Sequence, residues 1–321
     1  MTFKKILQIF CIVVTCIIIV FAVTKTHTKT EILMNKNNGL SFGDTSQNED
    51  IEKIFFPGSG FNRLSIKDMS YGPSYQEIDL KKINKDNLMV ILTLGQSHSA
   101  NFGERKYKCK ERVYFFYEEK FYLAKDPILG ADGDKGSVWT RLGDDLIEND
   151  LSDTVIFINI GVGGSRIDMW RPGTCLHHKI LESIDSFENY NLKITHIFWH
   201  QGSSDAWYHS SNKALEYKHT FSEIVRSIRD YGVEAPIFIC QSTYSYGNSD
   251  YFIKKAQKDL VSMDRNIFPG PDSDSIDYSY RYDGVHFSDK GLEILSDLWL
   301  EKIIEYYCHY NLFKSKTSII H

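Results

Sequence analysis

The feature that most constrains this chain is a repeated alternation of short apolar runs with longer segments of helical period. The runs Leu88 to Leu94, Thr154 to Ile160, Ile194 to His200 and Pro236 to Gln241 have the length and continuous apolarity of strands buried on both faces. Between and after them, residues 138–148, 178–187, 214–230, 252–262 and 290–307 carry helical spacing. Strand followed by helix, several times over, predicts an α/β fold with a central parallel sheet covered on both faces, a three-layer α/β/α arrangement. Ligands of such sheets bind at the carboxyl ends of the strands, so the polar residues that follow each run are where chemistry is expected.

The N-terminal third reads differently. Lys4 and Lys5 precede an uncharged run of eighteen residues, Ile6 to Val23, interrupted in polarity only by Gln8 and Thr15. That length suits a transmembrane helix better than a secretory h-region, and Phe21 to Thr24 match a cleavage site poorly. An uncleaved signal anchor is therefore expected at residues 1–24, with the lysines cytoplasmic and the rest extracytoplasmic; secretion after cleavage is the alternative. Residues 25–85 read as a tether and irregular lead-in, polar at first and then broken by Pro57, Gly58, Gly60, Gly72 and Pro73. The catalytic-type domain is expected over 86–310, with a C-terminal tail at 311–321. A formal charge of -5 with 37 basic and 42 acidic residues spread along the chain excludes a basic stripe for nucleic acid. Cys109, Cys175, Cys240 and Cys308 fall in the exported part, where disulfides are permitted but small buried thiols serve equally well.

Four strand-end segments concentrate reactive groups. Gly95-Gln96-Ser97-His98 turns sharply and presents a serine at the head of a new segment, as a nucleophile needs, although a serine there also caps helices. Gly163-Gly164-Ser165, followed by Arg166, Asp168 and Trp170, offers close-approaching N–H groups suited to an oxyanion or to an ordinary tight turn. Trp199-His200-Gln201-Gly202 and Asp205 supply an amide that can donate to an oxyanion, or else a polar turn with a capping Asp. Asp283-Gly284-Val285-His286 places a carboxylate three residues from an imidazole, which fixes the ring tautomer for general-base work. The histidines match no H-E-x-x-H or comparable metal spacing, and no cofactor motif is present. Tryptophans 139, 170, 199 and 207 lie near these loops as core residues or as faces for sugars.

In this order and spacing, the four segments resemble the SGNH hydrolase superfamily, and within it the sialate O-acetylesterase and carbohydrate acetylesterase branch. The resemblance spans about residues 87–307 and implies an SGNH, flavodoxin-like fold. It further implies Ser97 as nucleophile, His286 as general base and Asp283 as its orienting partner. The oxyanion would be held by the N–H of Ser97, that of Gly163 or Gly164, and the side chain of Gln201. Gln96, His98, Arg166, Trp170, His200 and Asp205 are the candidate substrate contacts. The chain departs from the family pattern at His98, where Asn often follows the serine, at Ser203, where an acidic residue often follows His-Gln-Gly, and near Ser204, where the superfamily's oxyanion Asn would stand. The activity expected is removal of O-acetyl groups from a carbohydrate without metal or organic cofactor. Two other readings use the same residues: acyl transfer to a sugar, served by an acyl-donating membrane partner, and glycan binding without catalysis.

Overall fold

The computed structural model describes residues 75–317. The elements run β1 (Glu77–Ile78), β2 (Leu88–Gly95), β3 (Val113–Tyr117), β4 (Lys120–Leu123), α1 (Val138–Glu148), β5 (Thr154–Gly161), α2 (Cys175–Glu188), β6 (His196–His200), α3 (Ser203–Ala206), α4 (Ser211–Asp230), β7 (Ile237–Gln241), α5 (Tyr251–Asp259), β8 (Ile267–Asp272) and α6 (Asp289–Thr317). The strands form one sheet in the order β1-β4-β3-β5-β2-β6-β7-β8. From β3 to β8 the neighbours are parallel, while β4 and β1 extend the sheet antiparallel at one edge.

The central parallel sheet expected from the sequence is present from β3 to β8, and the antiparallel edge is an addition to it. Its hairpin turn uses Glu118 and Glu119, at φ 46° and 60°, in a left-handed conformation that a two-residue hairpin usually assigns to Asn-Gly, so the turn carries no sequence signature. β8 escaped the pattern because Pro269, Gly270 and Pro271 interrupt it; an edge strand tolerates the missing N–H groups. β1 also brings residues 75–85 into the domain, and α6 runs on through most of the expected tail to Thr317. The signal anchor at 1–24 and the tether at 25–74 lie outside the described residues. Among the described residues no helix is long and apolar enough to cross a membrane, and Cys109, Cys175, Cys240 and Cys308 form no disulfide.

Period-two alternation divides the core between the two faces of the sheet. On one face Phe198 stacks on Trp299 of α6 and packs against Trp139 of α1. On the other, Trp199 meets Phe221 of α4 and Trp170. All of these rings are fully buried. Because both faces are covered, functional groups have the ends of the sheet left to them. The register then decides which loops meet: Gly95 lies opposite Gly161 on one side and His200 on the other, so the loops after β2, β5 and β6 emerge side by side.

Candidate active site

The turn after β2 depends on Gly95. A Cβ at this position would sit 2.2 Å from the His200 carbonyl oxygen, and that carbonyl accepts the Gln96 N–H at 3.2 Å. The close approach ends the strand and starts a single helical turn at Ser97–Ser99. Ser97 opens this turn, so its N–H has no acceptor within it, and its hydroxyl is hydrogen-bonded to none of the described residues. Trp139 Nε1 donates to the Ser99 carbonyl at 3.0 Å, fixing the turn to α1.

The loop before α6 closes on itself, with Arg281 and Phe287 bridged antiparallel and Tyr282 N–H donating to the His286 carbonyl at 3.0 Å. Inside it, His286 Nδ1 lies 2.7 Å from Asp283 Oδ2, and Asp283 Oδ1 accepts the N–H groups of Val285 at 2.9 Å and His286 at 2.7 Å. Burial alone would raise the Asp283 pKa; the hydrogen bonds from the ring and the two backbone N–H groups outweigh it and hold the carboxylate below its ordinary value. That bond makes Nδ1 the donor, leaving Nε2 as the acceptor. The His286 ring stacks on Phe102 and lies 5.6 Å from the His98 ring, which brings the loop against the turn that carries Ser97. Ser97 and His286 are not hydrogen-bonded to each other; such bonds often form fully only when substrate arrives.

Of the expected oxyanion donors, the Ser97 N–H remains unused, as does that of Gly164, an exposed residue at φ 68°. The Gly163 N–H is donated to Asp132 Oδ2 at 3.2 Å. Gln201 is corrected outright: its side chain is fully buried, and Nε2 donates inward to the Ser165 carbonyl at 3.0 Å and Asp205 Oδ2 at 2.6 Å. A flipped amide would set its oxygen against two acceptors, so the orientation follows from chemistry.

Several expected substrate contacts are likewise struts. Gln96 Oε1 accepts the N–H groups of Gly202 and Ser204, and its Nε2 donates to Ser203 Oγ at 2.6 Å. Asp205 accepts the Ile167 N–H at 2.9 Å and faces Lys213 Nζ at 3.2 Å; burial pushes its carboxyl up against the pull of Gln201, Lys213 and Ile167. Trp170 is fully buried, donating to Ser165 Oγ. His200 is fully buried too, with both ring nitrogens unpartnered, and burial drives its pKa down to about 3. Arg166 stays half-exposed but is held by Asp168 through two bonds of 3.1 Å. His98 is buried, and burial first, then its neighbours His200, Arg281 and His286, hold its pKa well below the ordinary value. Its Nε2 lies 3.1 Å from the Val285 carbonyl and its Nδ1 lies 3.3 Å from Ser242 Oγ.

Sequence reasoning missed Phe102 and Arg281. Arg281 is buried, its Nη1 reaching the same Val285 carbonyl at 2.5 Å, with Nε and Nη2 on the carbonyls of Ile276 and Ser273. Burial lowers its pKa to about 10, which leaves it charged at neutral pH. An arginine directly before Tyr282 and Asp283 gives no period or motif, so no local signal marked it. The arrangement thus holds an unbonded hydroxyl, an imidazole poised by a carboxylate, and two unused N–H groups at one end of the sheet. Such a set can take a proton from an attacking oxygen and hold a developing oxyanion.

The profile of a carbohydrate esterase family, the sialic acid-specific acetylesterases, matches residues 87–305. Among solved structures, one from Arabidopsis thaliana superposes with a TM-score of 0.56 at 18% identity, over 67% of this chain and 95% of that one. NanS superposes at 0.52 with 14% identity, over 70% and 98% of the two chains. A variant of Axe2, an acetyl xylan esterase from Geobacillus stearothermophilus, gives 0.46 at 16% identity, over 67% and 94%. No curated protein matches the sequence.

Proposed function

The chain belongs to the sialic acid-specific acetylesterase family of carbohydrate esterases, a carboxylic ester hydrolase, and from that premise we propose that Ser97, His286 and Asp283 form its catalytic triad. Ser97 Oγ attacks the acetyl carbonyl carbon while His286 Nε2 takes the hydroxyl proton. The resulting oxyanion lies against the N–H groups of Ser97 and Gly164. Collapse expels the sugar oxygen, which receives the proton from His286, and leaves acetyl-Ser97; water, activated by the same ring, then releases acetate. Asp283 holds the tautomer that makes both transfers work.

The observation that carries this reading is the 2.7 Å pair of His286 Nδ1 and Asp283 Oδ2, set against the turn of an otherwise unbonded serine. The His286 and Asp283 side chains keep 19% and 37% of their surface exposed, so water reaches the acyl-enzyme; this favours hydrolysis over acyl transfer. The apolar run at residues 6–23 supports an extracytoplasmic, membrane-held domain, where acetylated glycans would be met.

Acetate release tests the reading, using O-acetylated sialic acids, acetylated xylan and short aryl acetates, with Ser97→Ala alongside. Release from a carbohydrate ester that disappears in Ser97→Ala is expected. Undiminished release by Ser97→Ala would remove the proposed nucleophile.

A further inference from the structure

Beside the triad, three aromatic rings from three different loops stand in solvent. Trp207 follows α3 and is 65% exposed, Tyr246 lies in the loop after β7 at 60%, and Tyr278 lies after β8 at 58%. Trp207 and Tyr246 sit with ring centroids 6.5 Å apart and planes at 72°, two walls of a corner. Tyr246 also joins the triad loop directly, its N–H donating to the Gly284 carbonyl at 2.9 Å. Gly284, between Asp283 and Val285, has φ 85°, and a Cβ there would come 2.9 Å from Tyr246 Cδ1 and 3.2 Å from Tyr278 Cε2. A residue without a side chain therefore lets two tyrosines close on the loop that carries His286. Tyr246 itself holds φ 48°, a conformation uncommon for a bulky residue, and retains it with its ring in water.

We propose that Trp207, Tyr246 and Tyr278 form a sugar-binding subsite for an oligosaccharide chain, seating the C–H faces of pyranose residues that neighbour the acetylated one. The inference rests on the carbohydrate esterase reading and extends it to a substrate longer than a monosaccharide. Exposed rings on separate loops contribute nothing to the core; Tyr246 and Tyr278 border the triad loop and Trp207 borders Tyr246, which makes the substrate chain their occupant. Flat aromatic faces complement the apolar faces of pyranoses, while hydroxyl groups at the sugar edges remain in water.

All five tryptophans are described, and Trp139, Trp170, Trp199 and Trp299 are fully buried, so an aqueous quencher such as iodide reads Trp207. In Ser97→Ala protein, acetylated and unacetylated xylo-oligosaccharides of one to five residues, and O-acetylated sialyllactose beside free O-acetylated sialic acid, serve as probes. Shielding of Trp207 that grows with chain length is expected. In the enzyme with Ser97 present, the ratio of kcat/KM on oligosaccharide to that on an aryl acetate should fall about 3- to 10-fold in each of Trp207→Ala, Tyr246→Ala and Tyr278→Ala, with Trp207→Phe restoring most of it. Unchanged ratios in all three variants, or quenching indifferent to every oligosaccharide, would overturn the subsite. Shielding by phospholipid vesicles in place of glycans would overturn it equally. Absence of Ser97-dependent acetate release would sink the esterase mechanism instead, and the quenching series would still judge the subsite by itself.

Discussion

Two polar clusters share the carboxyl end of this sheet and are used in opposite ways. In the segment from His200 to Asp205, with Gln96 reaching in from the neighbouring turn, the donors face the interior: Gln201 and Gln96 span between loops, and Asp205 joins Ile167 to Lys213. At Ser97, at Gly164 and along 283–286, reactive atoms are left unspent, namely the Ser97 hydroxyl, His286 Nε2 and the N–H groups of Ser97 and Gly164. The first cluster builds the rim and the second works on it. Residue type does not separate them, since both contain histidine, aspartate and serine; what separates them is which valences the fold has already filled.

The largest expected difference between the clusters is in catalysis. Asp283→Asn should lower kcat by about 10²- to 10⁴-fold with little change in thermal stability, because the tautomer is lost while the loop remains. Asp205→Ala should do the reverse. It leaves the buried Ile167 N–H and Gln201 Nε2 short of an acceptor, while Lys213 keeps Glu216 and Asp168, and should destabilise the fold by about 1–3 kcal/mol in thermal or urea unfolding. Gln201→Ala sharpens the contrast further: as a strut it should cost roughly 1–3 kcal/mol of stability. A loss of about 100- to 1000-fold in kcat with stability intact would instead restore it to the oxyanion hole.

The smallest effect concerns pH. His200 has a folded pKa of about 3 against an ordinary 6.5, so between those values the unfolded chain binds a proton that the folded one does not. Stability is thus fully present above pH 6.5 at this position and is lost as pH falls toward 3. His196, at about 4, adds with the same sign, while Asp126, raised to about 7, opposes both as pH falls below 7. His200→Phe removes one proton site, so its stability relative to the natural protein should improve by about 2 kcal/mol between pH 7 and pH 5. Parallel unfolding curves for the two proteins over that range would contradict the buried neutral ring.

Much of this architecture was legible in the sequence, for physical reasons. Strands buried on both faces cannot hide their apolar runs, and helix α1 begins and ends where its period does. The hairpin β3–β4 and the edge strand β8 were illegible because Glu-Glu and proline stand where turn and strand signals are normally sought. In the site, Asp283 and His286 were readable because their pairing is local, three residues apart. The roles of Gln201, Gln96, Asp205 and His98 were not, since each is decided by partners far along the chain, as is the convergence of His98 and Arg281 on the Val285 carbonyl.

The most direct test of the account is covalent. A fluorophosphonate that mimics the acyl ester should label the folded protein once, at Ser97 by peptide mass, and labelling should fail in His286→Ala despite retained folding. A label on a different serine, or equal labelling without His286, would contradict the division between working and supporting groups from which the mechanism is built.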